Sequence, residues 1–501
     1  MLWLALHLPL LSLEAFCATL PLAEAARPVA LIDEHRVSAV NVVAAQRGLK
    51  PGIKRATALA LAGDLLAAQA DARRDAAALQ AVAYAALAFT PMVAFEGLAT
   101  VLLEVQASLR YFGGLPRLLG QLREALAPLG HRVHIASAPT PLGAALLAQW
   151  RDGFAEGPHG TEPRALRQLL DTAPVWLLGP GREHWEALQG MGLKTLSDLH
   201  ALPRSGLARR FGAGLLDDLD RAFGDCPDPR QPLLPPPVFD SRLELFARAD
   251  TSAQVLHGAG VLLARLVAWA RAQQARIAAF TLLMQHEPRH RGDAAEATTL
   301  RIELAEPALD IAHLQLLLRE RLVHVELAAP TLDLQLICRD LAHSAAPNGE
   351  LFPTRQSQAQ GLTRLFERLR ARLGDAQVLS VVTLADHRPE RANALLPVQA
   401  TAPRQAAAPA TDAASGLPLE RPLWLLPEPQ PLAERDTVPL LDGRPLLLLS
   451  GPERIESGWW DGGLVARDYF IAQAEDGSLT WIFRDRLSRV PVGWFLQGRF
   501  G

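Results

Sequence analysis

The sequence predicts a multidomain α/β chain, α+β in its later parts, and three patterns predict it. Residues 240–343 read strand, helix, strand, strand, helix, strand from their periodicities. The first 150 residues set short apolar strands between Ala- and Leu-rich helices. The last 60 hold Trp459, Trp460, Trp481 and Trp494 out of ten tryptophans, a density that argues for a compact β-rich module. At 501 residues, 49% hydrophobic and 21% charged, the chain is long and apolar enough for several cores.

Charge and cysteine content narrow the function classes. A net charge of −3 argues against a protein whose main task is to grip duplex DNA, since Lys and Arg supply most nonspecific affinity. Any DNA contact is therefore expected to be local. Cys17, Cys226 and Cys338 are too widely spaced for a disulfide framework or a CxxC metal pair, which suits a reducing compartment.

MLWLALHLPLLSLEAF (1–16) reads as a buried strand leading into a helix. It lacks the basic start of a signal peptide, and His7 and Glu14 interrupt its apolar run. No stretch of about 18 uncharged apolar residues follows, so no membrane partner is expected. Val29 and Leu31, then Val37 and Val40, give two short strands joined by a solvated turn at Asp33-Glu34. GLKPG (48–52) turns into a helix starting near Lys54 or Arg55, and the region from Ala58 to Ala88 reads as a core-packing helix pair. After the Gly113-Gly114 break, Leu118, Leu119, Leu122 and Leu126 stand at helical spacing. Residues 131–150 supply a strand and a helix. On that strand His131 and His134 would face opposite ways and could not share a metal, so no metal site is expected.

LQGMGLKTLSDLHALP (188–203) has the Leu-x-Gly-x-Gly turn of a helix-hairpin-helix. Gly190 and Gly192 permit the tight turn, the amides at the next helix start can meet a phosphate, and Lys194 adds charge. A hairpin that only packs is the plainer alternative. Arg204, Arg209 and Arg210 either extend the contact or form a solvated face. PLLPPPVF (232–239) is a proline-restricted connector. Beyond it, Arg289 and Arg291 in HEPRHRGD (286–293) form a basic tip that contacts phosphates or is simply solvated. PNGELFPT (347–354) carries Leu351 and Phe352, adjacent aliphatic and aromatic anchors of the kind that enter a preformed groove. A competing match, QGLTRLF (360–366), continues into an amphipathic helix ending at Gly374, whose Leu362, Leu365, Phe366 and Leu369 are expected to be buried. TAPRQAAAPATDAASG (401–416) reads as a flexible tether.

LWLALHLPLLSLEAF (2–16) and VLLEVQASLRYFGG (101–114) resemble the palm of Y-family DNA polymerases over a likeness spanning about the first 380 residues. That family holds two Mg²⁺ ions with paired carboxylates. Here the first acidic position, nine residues before Glu14, is Ala5. The Asp-Glu pair falls on Val105 and Gln106, leaving Glu104 alone nearby. The triphosphate contacts fall on Val42 and Ala45 in the fingers segment and on Pro141 and Ala145 where lysines belong. The resemblance implies a palm/fingers-like domain (1–165), a thumb with the helix-hairpin-helix (166–231), a linker (232–239) and a β-α-β-β-α-β little finger (240–345). A clamp-peptide segment and helix (346–400), a flexible linker (401–420) and a C-terminal module (421–501) follow.

SGPERIESGWWDGGLVARDYF (450–470), WIFRDR (481–486) and GWFLQGRF (493–500) resemble the end of ImuB-type proteins, polymerase-like subunits of the bacterial mutasome. This resemblance implies a noncatalytic adaptor without cofactors, cytoplasmic and nucleoid-associated. Its implied partners are DNA, the sliding clamp, a RecA-like mutasome subunit and an error-prone replicative-type polymerase. Leu351 and Phe352 would bind the clamp; Trp459, Trp460, Arg467, Asp468 and Tyr469 would dock a partner. The alternative is an active translesion polymerase using Glu104 with another carboxylate.

Overall fold

The computed structural model describes residues 1–24, 26–288, 297–343, 355–398, 421–487 and 493–500. The chain divides into two compact units, 1–372 and 373–501. Arg289, Arg291, Leu351, Phe352 and the 401–416 tether lie outside the described residues.

The first unit opens with β1 (Trp3–His7), α1 (Leu11–Cys17), β2 (Val29–Asp33), β3 (Arg36–Val40), α2 (Val42–Gln46), α3 (Arg55–Leu61), β4 (Leu66–Ala68) and α4 (Ala72–Leu87). The β2–β3 turn is made at Glu34 and His35, both at positive φ (43° and 72°), a geometry that matches strand twist in a two-residue loop. Between α3 and α4, where a plain helix pair was expected, β4 adds a parallel strand to β2. Three residues are too few to show an alternation.

Next come β5 (Val93–Glu96), β6 (Thr100–Glu104), α5 (Leu109–Phe112), α6 (Leu115–Leu126), β7 (His134–Ala138) and α7 (Pro141–Trp150). The palm-like sheet has the order β5-β6-β1-β7, all antiparallel. Leu4, Leu6, Val101 and Leu103 point to one face, where they meet Leu79 and Val82 of α4 and Leu118 and Leu122 of α6. The other face is covered by α7. A helical region follows: α8 (Pro163–Asp171), α9 (Gly179–Glu183), α10 (Trp185–Gly190), α11 (Leu196–His200), α12 (Arg204–Phe211) and α13 (Ala213–Phe223).

The proline connector is extended and also pinned. Leu233 N donates to Val93 O at 2.7 Å, and Pro236 O accepts from Trp269 Nε1 at 2.9 Å. It leads into β8 (Phe239–Ala249), α14 (Ser252–Ala272), β9 (Arg276–His286), β10 (Ala297–Ala308), α15 (Ile311–Leu322) and β11 (Thr331–Ala342). This is the expected β-α-β-β-α-β order, with the sheet ordered β10-β9-β11-β8. A capping box between Thr251 and Gln254 starts α14. By length and composition α14 could cross a membrane, but 67% of its apolar window is buried against α4, α15 and the sheet. That makes it a core helix.

The unit closes on α16 (Arg355–Leu373). Its expected leucine stripe is not its anchor: Leu362 and Leu365 are 52% and 50% exposed. Glu367 and Ala371 are buried instead. The Glu367 carboxylate accepts from the amides of Ala305 and Glu306 and from His313 Nε2, the last at 2.9 Å. Phe366 and Leu369 are half-buried, so a polar network together with part of the expected stripe docks this helix, and the expectation of a fully buried stripe is corrected at Leu362 and Leu365.

The second unit holds the hairpin β12 (Leu379–Thr383) and β13 (Asn393–Pro397). An antiparallel sheet then comprises β14 (Trp424–Arg435), β15 (Val438–Leu441), β16 (Arg444–Pro445), β17 (Leu447–Ser457), β18 (Val465–Gln473), β19 (Leu479–Asp485) and β20 (Trp494–Arg499). Its seven strands run β16-β15-β14-β20-β19-β18-β17. Two small cores pack on it, one around Ile482, Trp494 and Leu496, the other around Tyr469, Trp481 and Phe483. The tryptophan density thus marks a β module, as its sequence suggests.

Candidate functional site

Residues directly opposite in an antiparallel ladder share a face. Trp3, Ala5 and His7 stand opposite Glu104, Leu102 and Thr100 on one side and Ala138, Ala136 and His134 on the other. Ala5 is wholly buried and belongs to the apolar cluster formed with Leu102, Ala136, Ala144 and Ala145. Glu104 is the one carboxylate in these three strands on that face. Its Oε1 accepts from Gln106 N at 3.2 Å and Leu2 N at 3.4 Å, so it caps its own strand end. Val105 is wholly buried on the opposite face and Gln106 is exposed. The residues present do not fit a two-metal group. Among the described residues no cluster of three His, Cys, Asp or Glu side chains could hold a metal.

The triphosphate-contact positions are equally unsuited. Val42 and Ala45 are exposed on α2, while Pro141 and Ala145 are buried in α7. Arg47, near the fingers positions, is paired with Asp64. His7, not singled out by sequence, hydrogen-bonds Thr100 Oγ1 through Nδ1 at 2.9 Å. Burial, with the neighbouring charges of His134 and Arg182, lowers its pKa to about 4. His131 precedes β7 rather than lying on it and faces Glu14 at 3.5 Å. This corrects its expected place on the strand.

The hairpin at 188–203 is formed as expected, with Gly190 ending α10 and Gly192 at φ 80°. Its amides, however, are occupied from within. Met191, Gly192 and Leu193 donate to carbonyls of the 187–189 turn. Lys194 N and Thr195 N both donate to Asp198 Oδ2, at 2.8 and 2.9 Å. Leu196 N donates to Ala173 O. A phosphate approaching the start of α11 would compete with the Asp198 carboxylate. The Thr195-x-x-Asp198 capping signature was available in the sequence and predicts this occupancy. Arg204 forms two hydrogen bonds to Asp220, whereas Arg209 and Arg210 are exposed at the end of α12.

In the second unit Trp459 and Trp460 are 77% and 55% exposed in the loop between β17 and β18, packed edge to face at 5.6 Å. Arg388, outside the residues singled out from sequence, holds that loop. It donates to Asp386, to Asp461 Oδ2 at 2.6 Å and to Gly463 O at 3.1 Å. Arg467 pairs with Glu390, and Asp468 with Arg454 and Arg486. Tyr469 is 1% exposed, stacks on Trp481 at 4.2 Å and donates to Gln497 Oε1 at 2.7 Å. Tyr469 is therefore a core residue, which corrects its expected place in a docking surface.

The fold defines the class: a mixed helix-and-sheet framework, with a four-stranded antiparallel sheet and a β-α-β-β-α-β domain, carrying an added β-rich C-terminal module. Over nearly its whole length the chain is similar to Protein ImuB of Caulobacter vibrioides strain NA1000 / CB15N, with 28% identity over 479 residues, 91% of this chain and 100% of the relative. Protein ImuB of strain ATCC 19089 / CIP 103742 / CB 15 matches to the same extent. No family model matches. Among solved structures, the insertion ternary complex of Dbh DNA polymerase aligns at 14% identity and TM-score 0.38, covering 69% of this chain and 100% of that one. DinB from Sulfolobus solfataricus aligns at 15% identity and TM-score 0.34, covering 68% and 99%.

Proposed function

We propose that the chain is a noncatalytic, Y-family polymerase-like adaptor in SOS-induced translesion synthesis and mutagenesis. In this reading it is cytoplasmic and nucleoid-associated, and it links damaged DNA, the sliding clamp and an error-prone replicative-type polymerase, with a RecA-like subunit as further partner. The observation that carries the proposal is the palm-like face, where Ala5 lies sealed beneath α7 and Glu104 caps its own strand. Nucleotidyl transfer needs two metals held by several carboxylates, and one carboxylate tied to backbone amides cannot supply that.

Clamp contact is assigned to Leu351 and Phe352, and partner contact to the exposed Trp459-Trp460 loop. DNA contact is assigned to Lys194, beside Gly190 and Gly192, and to Arg289 and Arg291. The test is retention of the purified chain on immobilised sliding clamp. Retention should vanish when Leu351 and Phe352 are both replaced by Ala; undiminished retention would remove the clamp from this account.

A further inference from the structure

Between His257 and Arg271, Arg265 is the only charged residue of α14, and its side chain faces away from bulk water at 5% exposure. Among the described residues its guanidinium makes one hydrogen bond, from Nη1 to Ser241 Oγ at 3.3 Å, and no ion pair. Buried charges are ordinarily paired because an isolated one costs several kcal/mol. This one instead lines two cavities. One is a cleft of about 710 Å³ between α4 and β8; the other, of about 260 Å³, lies toward Glu14 and His131.

Arg74 lines the same cleft, and its Nε is buried without a hydrogen-bond partner. Most acids of the cleft are already engaged. Asp71 caps α4, Asp333 pairs with Arg242, and Asp240 accepts from Gln335, leaving Glu244. Incompletely satisfied donors from two elements, Arg265 and the Nε of Arg74, thus line a space in which Glu244 is the one carboxylate not engaged as above, and its volume suits a small molecule.

We infer that the cleft between α4 and β8 binds a small phosphoryl-bearing ligand, its anionic group held by Arg265, Ser241 and Arg74. Donors arriving from α14, β8 and α4 suit a tetrahedral oxyanion, and guanidinium forks are well matched to phosphate. Phe246, 46% exposed in the cleft wall, can take an attached ring. With Arg73, Arg74, Arg242 and Arg265 balanced by four carboxylates, the cleft suits one small anion and not a nucleic-acid backbone.

Thermal unfolding of the full chain tests this at constant ionic strength. Inorganic phosphate, pyrophosphate and deoxyadenosine monophosphate are titrated separately, with chloride as the salt control. A ligand bound only by the folded chain raises the midpoint in a saturable way. A rise with all three assigns the site to the phosphoryl group; a tighter response to the nucleotide assigns the wall to its base. Arg265→Gln should weaken binding about tenfold or more, as loss of a charge-assisted hydrogen bond requires. Ser241→Ala, which truncates a partly exposed strand residue, gives a second variant whose folding is secure and should weaken it less. No response in the native chain to any probe, or an equal response in Ser241→Ala and a folded Arg265→Gln, would overturn the inference.

Discussion

Ala5 lies directly opposite Leu102 in the β1–β6 ladder, and both are wholly buried beneath α7. A single added carboxylate therefore cannot restore a metal site there. Ala5→Asp would place a charge among Leu102, Ala136 and Ala145 and should cost about 3 kcal/mol of stability. Urea unfolding with and without Mg²⁺ checks this. Mg²⁺ should recover none of the loss, and full recovery by Mg²⁺ would show an open site.

Asp198 occupies the amides of Lys194 and Thr195 that a phosphate would use. Asp198→Ala should lower stability by about 1 kcal/mol through loss of the cap. It should also raise affinity for primed duplex DNA, since both amides and the local charge become favourable. Fluorescence anisotropy at two salt concentrations measures this. Unchanged or weaker binding would mean that this hairpin only packs.

Glu367 is the anchor of α16. Glu367→Ala leaves two amides and His313 without their acceptor in a buried setting and should cost about 2–4 kcal/mol. Leu365→Ala, at a half-exposed position, should cost under about 1 kcal/mol. Chemical denaturation of both variants decides between the polar and the apolar anchor, and the reverse order would restore the leucine stripe.

His7 is held neutral in the folded chain, with its pKa lowered to about 4 from an unfolded value near 6.5. The unfolded chain then takes up a proton first as pH falls. The stability contribution is complete above about pH 6.5 and is lost progressively toward pH 4. Between pH 7 and 5.5 the native chain should lose on the order of 1 kcal/mol more than His7→Gln, measured by urea midpoints. Parallel pH profiles would show that His7 is not the titrating group.

The β-α-β-β-α-β domain was legible because its strands alternate and its helices are long; α15 runs from Ile311 to Leu322 as its periodicity suggests. What misled were polar anchors, which leave no periodic trace. Leu362 and Leu365 at helical spacing look like a core stripe, yet Glu367 one turn on makes the contact. Tyr469 sits in a stretch that resembles a docking motif, but a strand's alternation turns it inward against Trp481. Register mattered at the palm-like sheet. Val105 and Glu104 are adjacent in sequence, and the two-residue period of the strand puts only Glu104 on the face of Ala5. Arg265 did carry a signal, a lone charge inside an apolar helix, but only its surroundings give it meaning.

The central claim of the proposed function is that the chain does no nucleotidyl transfer. Primer extension by the purified chain on primed and lesion-bearing templates, with Mg²⁺ or Mn²⁺, tests it most directly, alongside Glu104→Ala. The account predicts no extension from either protein. Extension by the native chain that disappears in Glu104→Ala would contradict it and establish an active metal site built around Glu104.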